Sequence, residues 1–177
     1  YLMAEDTQAI ISRIGETDQL FLQQNTPELA LERASLRLQL VHLSHSHAEQ
    51  VHFLQEAIVL LEQARVEFEQ MPLSLYLELS IQLAKTYLTY YEISQEQRFA
   101  LITQQILKPL TAYEHAEIYF LLAYASISKN EPAMARHWLN KYAKSNHFDP
   151  LLLNSHPAFS NLKQQDWFIR LTKARLN

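Results

Sequence analysis

The stretch HAEIYFLLAYASISKNEPAMARHWLNKYAK, residues 115–144, decides the fold class. Its first part is the most apolar of the chain. Ile118 to Ile127 spans about half of the roughly 20 residues needed to cross a bilayer and includes Tyr119, Tyr124 and Ser126, so it reads as a buried helix. Asn130-Glu131-Pro132 then interrupts the pattern between Ser128 and Ala133, because proline cannot continue a helix but suits the first position of the next one. The second part repeats its small and large apolar residues at steps of four, Ala135, Leu139 and Ala143. Two helices joined by a short turn must fold back as an antiparallel hairpin.

Working outward, nearly every segment longer than ten residues spaces its apolar side chains at three and four rather than two, so the chain is predicted to be all-α. A leading helix is expected from about Glu5 to Gln23, burying Ile10, Ile14 and Phe21, with Gly15 as a point of bending or breakage. Thr26 before Pro27 supplies an N-cap hydroxyl followed by proline at the first helical position, with Leu29, Leu36, Leu40 and Leu43 on one face. Ser46-His47-Ala48-Glu49, Ser94-Gln95-Glu96-Gln97 and Thr111-Ala112-Tyr113-Glu114 read as capping boxes. Met71-Pro72 separates two further helices, and Asp149-Pro150 and His156-Pro157 open two short terminal ones. The reading is a single helical domain over 1–177: a leading helix at 1–25, helix pairs at 27–67, 73–107 and 115–144, and a C-terminal cap at 149–177.

Composition narrows the alternatives. The 177 residues lie in the range of one domain, and a single glycine argues against doubly wound α/β folds, hairpin-rich β folds and phosphate-cradling loops. With no cysteine, disulfides, thiolate metal sites and cysteine nucleophiles are excluded. Hydrophobic residues at 48% and charged residues at 19% suit a soluble globular protein. The net charge of -4 conceals an asymmetry: residues 1–96 hold 5 Lys+Arg against 14 Asp+Glu, and residues 97–177 hold 10 against 5. The basic residues of the second half are too sparse for a nucleic-acid surface, and the acidic half would repel one. The chain begins with Tyr1 rather than Met, which leaves room for a mature form, a piece of a longer protein or the soluble part of an anchored one. Cytoplasm and periplasm both stay open as compartments, and no membrane insertion is expected.

The second helices of two pairs carry Ala57, Leu61 and Ala64, and Ala135, Leu139 and Ala143; Ala57 and Ala135 are 78 residues apart, or 39 per pair. The first helices carry Leu83-Ala84 with Tyr87 three residues on, and Leu122-Ala123. This pattern resembles the tetratricopeptide repeat, best in the third pair, where Tyr119, Leu122, Ala123, Ala135 and Leu139 fall at signature positions and Asp149-Pro150 closes the unit. The sequence departs from the family where alanine replaces the glycine after leucine in two pairs, and where Glu96-Gln97 stands near an expected small residue. The tail 155–162, SHPAFSNL, is similar to segments that end such arrays. The resemblance implies a right-handed superhelix of stacked pairs with capping helices at both ends, Lys173 and Arg175 among the polar residues of the last cap. It also implies a noncatalytic adaptor or scaffold, without cofactor, that binds a peptide or partner helix.

In such a stack the first helices line a concave face. Aligning Ala84 with Ala123 places Glu78, Ile81, Lys85 and Leu88 there in the second pair and Glu117, Phe120, Tyr124 and Ile127 in the third, with Arg33 and Arg37 extending it in the first. A mixed apolar and charged strip suits an extended peptide or helix. Lys85 alone matches the clamp with which some family members hold a terminal carboxylate, so that partner is not expected.

Two other readings carry weight at this level. His42, His45, His47 and His52 lie within eleven residues, and on one continuous helix His45, Glu49 and His52 would share a face suited to zinc or nickel. The box at Ser46 puts a turn through that run, so loop histidines explain it equally well. A regulatory or sensor domain of a larger protein is the third reading. Glu67 with Glu69 and Glu114 with Glu117 are paired carboxylates better explained as solvated faces or caps, and Ser155-His156 lacks the strained elbow of a serine nucleophile.

Overall fold

The computed structural model describes residues 2–68 and 70–173. Glu69 and Arg175, named above, lie outside the described residues. Among those described, every regular element is helical and there is no strand. Backbone contacts divide the chain into two compact units, 1–95 and 96–177, where the sequence reading has a single domain. The boundary falls inside the expected pair 73–107, so its two helices belong to different units.

The first unit contains α1 (Leu2–Gln23), α2 (Pro27–Leu43), α3 (His47–Glu67) and α4 (Leu73–Ser94). Consecutive helices pack on one another, and α2 also meets α4. Thr26 caps α2 as read, its hydroxyl accepting the Leu29 amide at 3.1 Å. Ser46 caps α3 by accepting the Glu49 amide, while the Glu49 carboxylate turns to the Ser44 hydroxyl at 2.8 Å instead of closing the box. Gly15 neither breaks nor interrupts α1; a Cβ added there would meet nothing within 4 Å. Phe21, expected inside, is 38% exposed, because α1 packs closely on α2 alone and buries Thr17 instead. Ala57, Leu61 and Ala64 are 0–2% exposed, so the small-large-small row of α3 lies in the core, where small residues let helices approach.

The second unit contains α5 (Gln97–Leu107), a 3-10 helix (Lys108–Tyr113), α6 (Ala116–Ser128), α7 (Pro132–Ala143), α8 (Pro150–Ser155), a second 3-10 helix (Pro157–Leu162) and α9 (Asp166–Lys173). At its centre is α6, apolar on every side and packed against α5, α7 and both 3-10 helices, as a helix without a polar face must be. Two expected capping boxes are absent here. Ser94 closes α4 and Glu96 precedes α5 without a side-chain cap, while Thr111 lies inside the first 3-10 helix. His115 caps α6 instead, its Nδ1 accepting the Glu117 amide at 3.2 Å. His156 caps the second 3-10 helix in the same way through the Ala158 amide.

Charge follows the division. Residues 1–95 hold 5 Lys+Arg against 13 Asp+Glu, a balance of -8, and residues 96–177 hold 10 against 6, a balance of +4.

Candidate functional site

The residues read as one groove fall into three environments. Arg37 is 7% exposed and points into the helix layer, not out of it. Its Nε donates to Glu56 of α3 at 2.6 Å, Nη1 donates to the Arg33 carbonyl, and Nη2 reaches Asp18 of α1 at 3.4 Å. Arg33 donates through Nε to the same Asp18 at 2.9 Å and lies over the Phe21 ring. The expectation that these arginines extend an open groove is therefore corrected: α1 and α3 flank this side of α2, and a guanidinium withdrawn from water has to find carboxylates there.

Ile81, Leu88, Phe120 and Tyr124 are corrected in the same sense, with exposures of 2–7%. In the second unit the covering residues are explicit. Phe120 meets the rings of Tyr142, His156 and Phe159 at centroid distances of 5.3–5.5 Å, and Tyr124 meets His156 at 4.9 Å. The chain's own C-terminal segment thus occupies the α6 face that the spacing assigned to a ligand. Glu78 is exposed, and Lys85, Glu117 and Ile127 are half-buried, so these four still reach the surface.

The histidine run does not assemble. His45 lies in the loop before α3, Glu49 faces Ser44, and His52 pairs with Glu56 at 2.7 Å, the carboxylate that also receives Arg37. Among the described residues no three His, Asp or Glu side chains stand close enough to share an ion. The turn at Ser46 is the physical reason, since it removes the single helical face on which His45, Glu49 and His52 would converge.

Several titrations are displaced by packing. Burial and the hydrogen bond donated to Glu62 at 2.6 Å push the Tyr87 phenol well above its usual range. Burial likewise raises Tyr119 and Tyr142. The Gln104 amide holds Glu131 below the usual carboxylate range, with Lys129 assisting. That carboxylate belongs to a polar brace on the α6–α7 turn: Gln104 Nε2 donates to Glu131 at 3.0 Å, and Lys129 Nζ donates to Gln104 Oε1 at 3.1 Å.

A second group escaped the sequence reading. A cleft of about 190 Å³ between the ends of α1 and α3 is lined by Asn25, Arg33 and Glu67, with Ala30 and Ala64 at its base. The visible signal was faint: two alanines on facing helices with polar residues one turn away.

No family model matches the sequence, and neither a curated protein nor a solved structure is detectably similar to it. Among the described residues no helix is long and apolar enough to cross a membrane.

Proposed function

We propose that the protein is a noncatalytic interaction module, a stack of helix pairs of the tetratricopeptide type that receives a peptide or a partner's helix. The observation that carries this reading is the packing of the first unit. There α4 touches α2 while α3 packs on both, so a further helix covers the apolar face that the α2–α3 hairpin leaves bare, as the next unit does in a stack of repeats. The buried row Ala57, Leu61 and Ala64, and its counterpart Ala135 and Leu139, supports the same reading, because such repeats need close helix approach at these positions.

Within each unit, taken by itself, the candidates for recognition are those assigned residues that reach solvent. In the first unit these are Glu78 and Lys85, seven residues apart on α4; in the second they are Glu117 and Ile127 on α6. Charged groups at a rim set the on-rate and the choice of partner more than total affinity. The test is affinity capture from the native host with wild-type protein beside Lys85→Glu, followed by titration of the captured partner. Charge reversal should weaken that partner's binding about tenfold, a cost of about 1.4 kcal/mol, while leaving the helical content unchanged. Equal affinity of both proteins for every captured partner would remove this face from the proposal.

A further inference from the structure

Each unit, taken by itself, presents a surplus of one sign of charge to solvent, and the cause can be traced cation by cation. In the first unit the arginines are spent internally. Arg13 pairs with Glu16 and Glu32, Arg33 with Asp18, and Arg37 with Asp18 and Glu56. Arg65 lies over the Tyr76 ring and donates to its hydroxyl at 3.1 Å. Lys85 is half-buried. Among the described residues no ion pair reaches Glu28 or Glu67, both exposed; Glu67 accepts only the Asn25 amide, at 3.4 Å. These two carboxylates line one hollow of about 610 Å³ at the start of α2 and the α3–α4 turn, whose lining includes Pro27, Phe68 and Met71 and no cationic side chain.

In the second unit the cations are the surplus. Ion pairs engage Arg98 with Glu96 and Lys129 with Glu131. Among the described residues none engages Arg136, Lys141 or Lys144 of α7, or Arg170 and Lys173 of α9, and all five are exposed. The 12 residues of α7 include no carboxylate. Its outer face therefore lacks the opposite charges that stabilise a solvated helix at three- and four-residue spacing. Aromatic faces hold part of the row. Arg136 lies 5.2 Å from the Trp167 ring centre, which joins the α7 and α9 faces, and Lys141 lies 5.9 Å from that of Tyr119. A ring attracts the cation and fixes its stem without neutralising it.

We infer that the α7–α9 face docks on a second copy of this chain, at the acidic hollow of that copy's first unit. The complement this face requires, clustered carboxylates with no cation among them, is carried by the chain itself. The hollow has room for roughly 20 water-sized groups at about 30 Å³ each, enough for the ends of two or three Lys or Arg side chains. Phe68 and Met71 offer apolar surface to their methylene stems. Like charges within each unit repel, and contact between opposite units of two copies relieves both surpluses. The contact is heterologous, one surface against a different one. It shares no residue with the recognition candidates named above, so Lys85→Glu leaves it unchanged.

The test is sedimentation velocity of the full chain from about 10 μM to 1 mM. In about 25 mM salt, where the Debye length is about 20 Å, the mean mass should rise above that of the monomer across this range. About 0.5 M salt shortens that length to about 4 Å and should weaken the association about tenfold or more. The charge reversals Lys141→Glu/Lys144→Glu/Arg170→Glu and Glu28→Lys/Glu67→Lys fall on exposed side chains. Each should leave the helical content unchanged and the protein monomeric. Mixed, the two variants should associate again, because one retains the acidic hollow and the other the cationic face. The wild-type salt series decides where a variant does not fold. A wild type that stays monomeric throughout, association indifferent to salt, self-association surviving in either variant, or no recovery in the mixture would each overturn the inference. Binding of the wild type to phosphatidylglycerol vesicles or to a poly-glutamate peptide, with no association of its own, would assign the face to another anion and overturn it too.

Discussion

The two compact units fill the space between their helices in opposite ways. In the first, the layer between α1, α2 and α3 contains an ionic group: Arg33 and Arg37 on one helix, Asp18 and Glu56 on its two neighbours. In the second, the equivalent work around α6 is done by rings, with Phe120 meeting Tyr142, His156 and Phe159. Ions withdrawn from water must be matched in position and number, and losing one partner strands the other. Rings lose stability roughly in proportion to the volume and contacts removed. The first unit is therefore specific in its pairing and vulnerable to single charges, whereas the second is vulnerable to truncation.

The largest effect is expected where the ring cluster is cut. Phe159 is fully buried, and Phe159→Ala should cost about 3–5 kcal/mol, read as a lower urea midpoint together with lost amide protection in residues 116–162. A loss below about 1 kcal/mol would mean that the C-terminal segment is not held by this cluster.

A smaller loss should follow in the first unit. Arg37→Met keeps much of the stem's volume but leaves Glu56 and Asp18 without their shared cation; both carboxylates are more than a third exposed. Solvent screening on that side reduces the expected cost to about 2–4 kcal/mol, below the full penalty for breaking a buried pair. The companion variant Glu56→Gln should recover part of it in the Arg37→Met background, and independent, additive losses would break the idea of one ionic group.

The smallest effect separates the units by pH. A phenol whose folded titration lies above its unfolded value of about 10 contributes stability that is complete below that value and is lost as pH rises through the folded one. Tyr87 is in this position in the first unit and Tyr119 and Tyr142 in the second. Tyr87→Phe should cost about 1 kcal/mol at neutral pH through its bond to Glu62 and should flatten only the Tyr87 share of the alkaline loss. Absorbance at 295 nm should show one fewer late-titrating phenol.

Much of the helical layout was legible without coordinates. Thr26-Pro27, Met71-Pro72, Glu131-Pro132 and Asp149-Pro150 mark helix starts at α2, α4, α7 and α8. Two boxes failed because the same Ser or Thr pattern also suits the end of a helix or a 3-10 turn: the hydroxyl at Thr111 bonds back to the Lys108 carbonyl, and no forward cap forms. The candidate site was less legible. Phe120 and Tyr124 have the spacing of an exposed strip on α6, and nothing local reveals that His156 and Phe159 will cover it. Arg37 lies in a helix with Leu36, Leu38 and Leu40, where only a carboxylate arriving from another helix accounts for its burial.

What the sequence by itself determined was the class: helices throughout, their turns, and an acidic half followed by a basic one. These follow from periodicity, proline and charge, all of which act within a few residues of the chain. The tertiary structure alone decided which faces stay open. Asp18 to Arg33 is 15 residues and Arg37 to Glu56 is 19, and Asn25 meets Glu67 across 42. Burial of a side chain depends on what the neighbouring helices bring to it, and that is a property of packing, not of spacing along one helix.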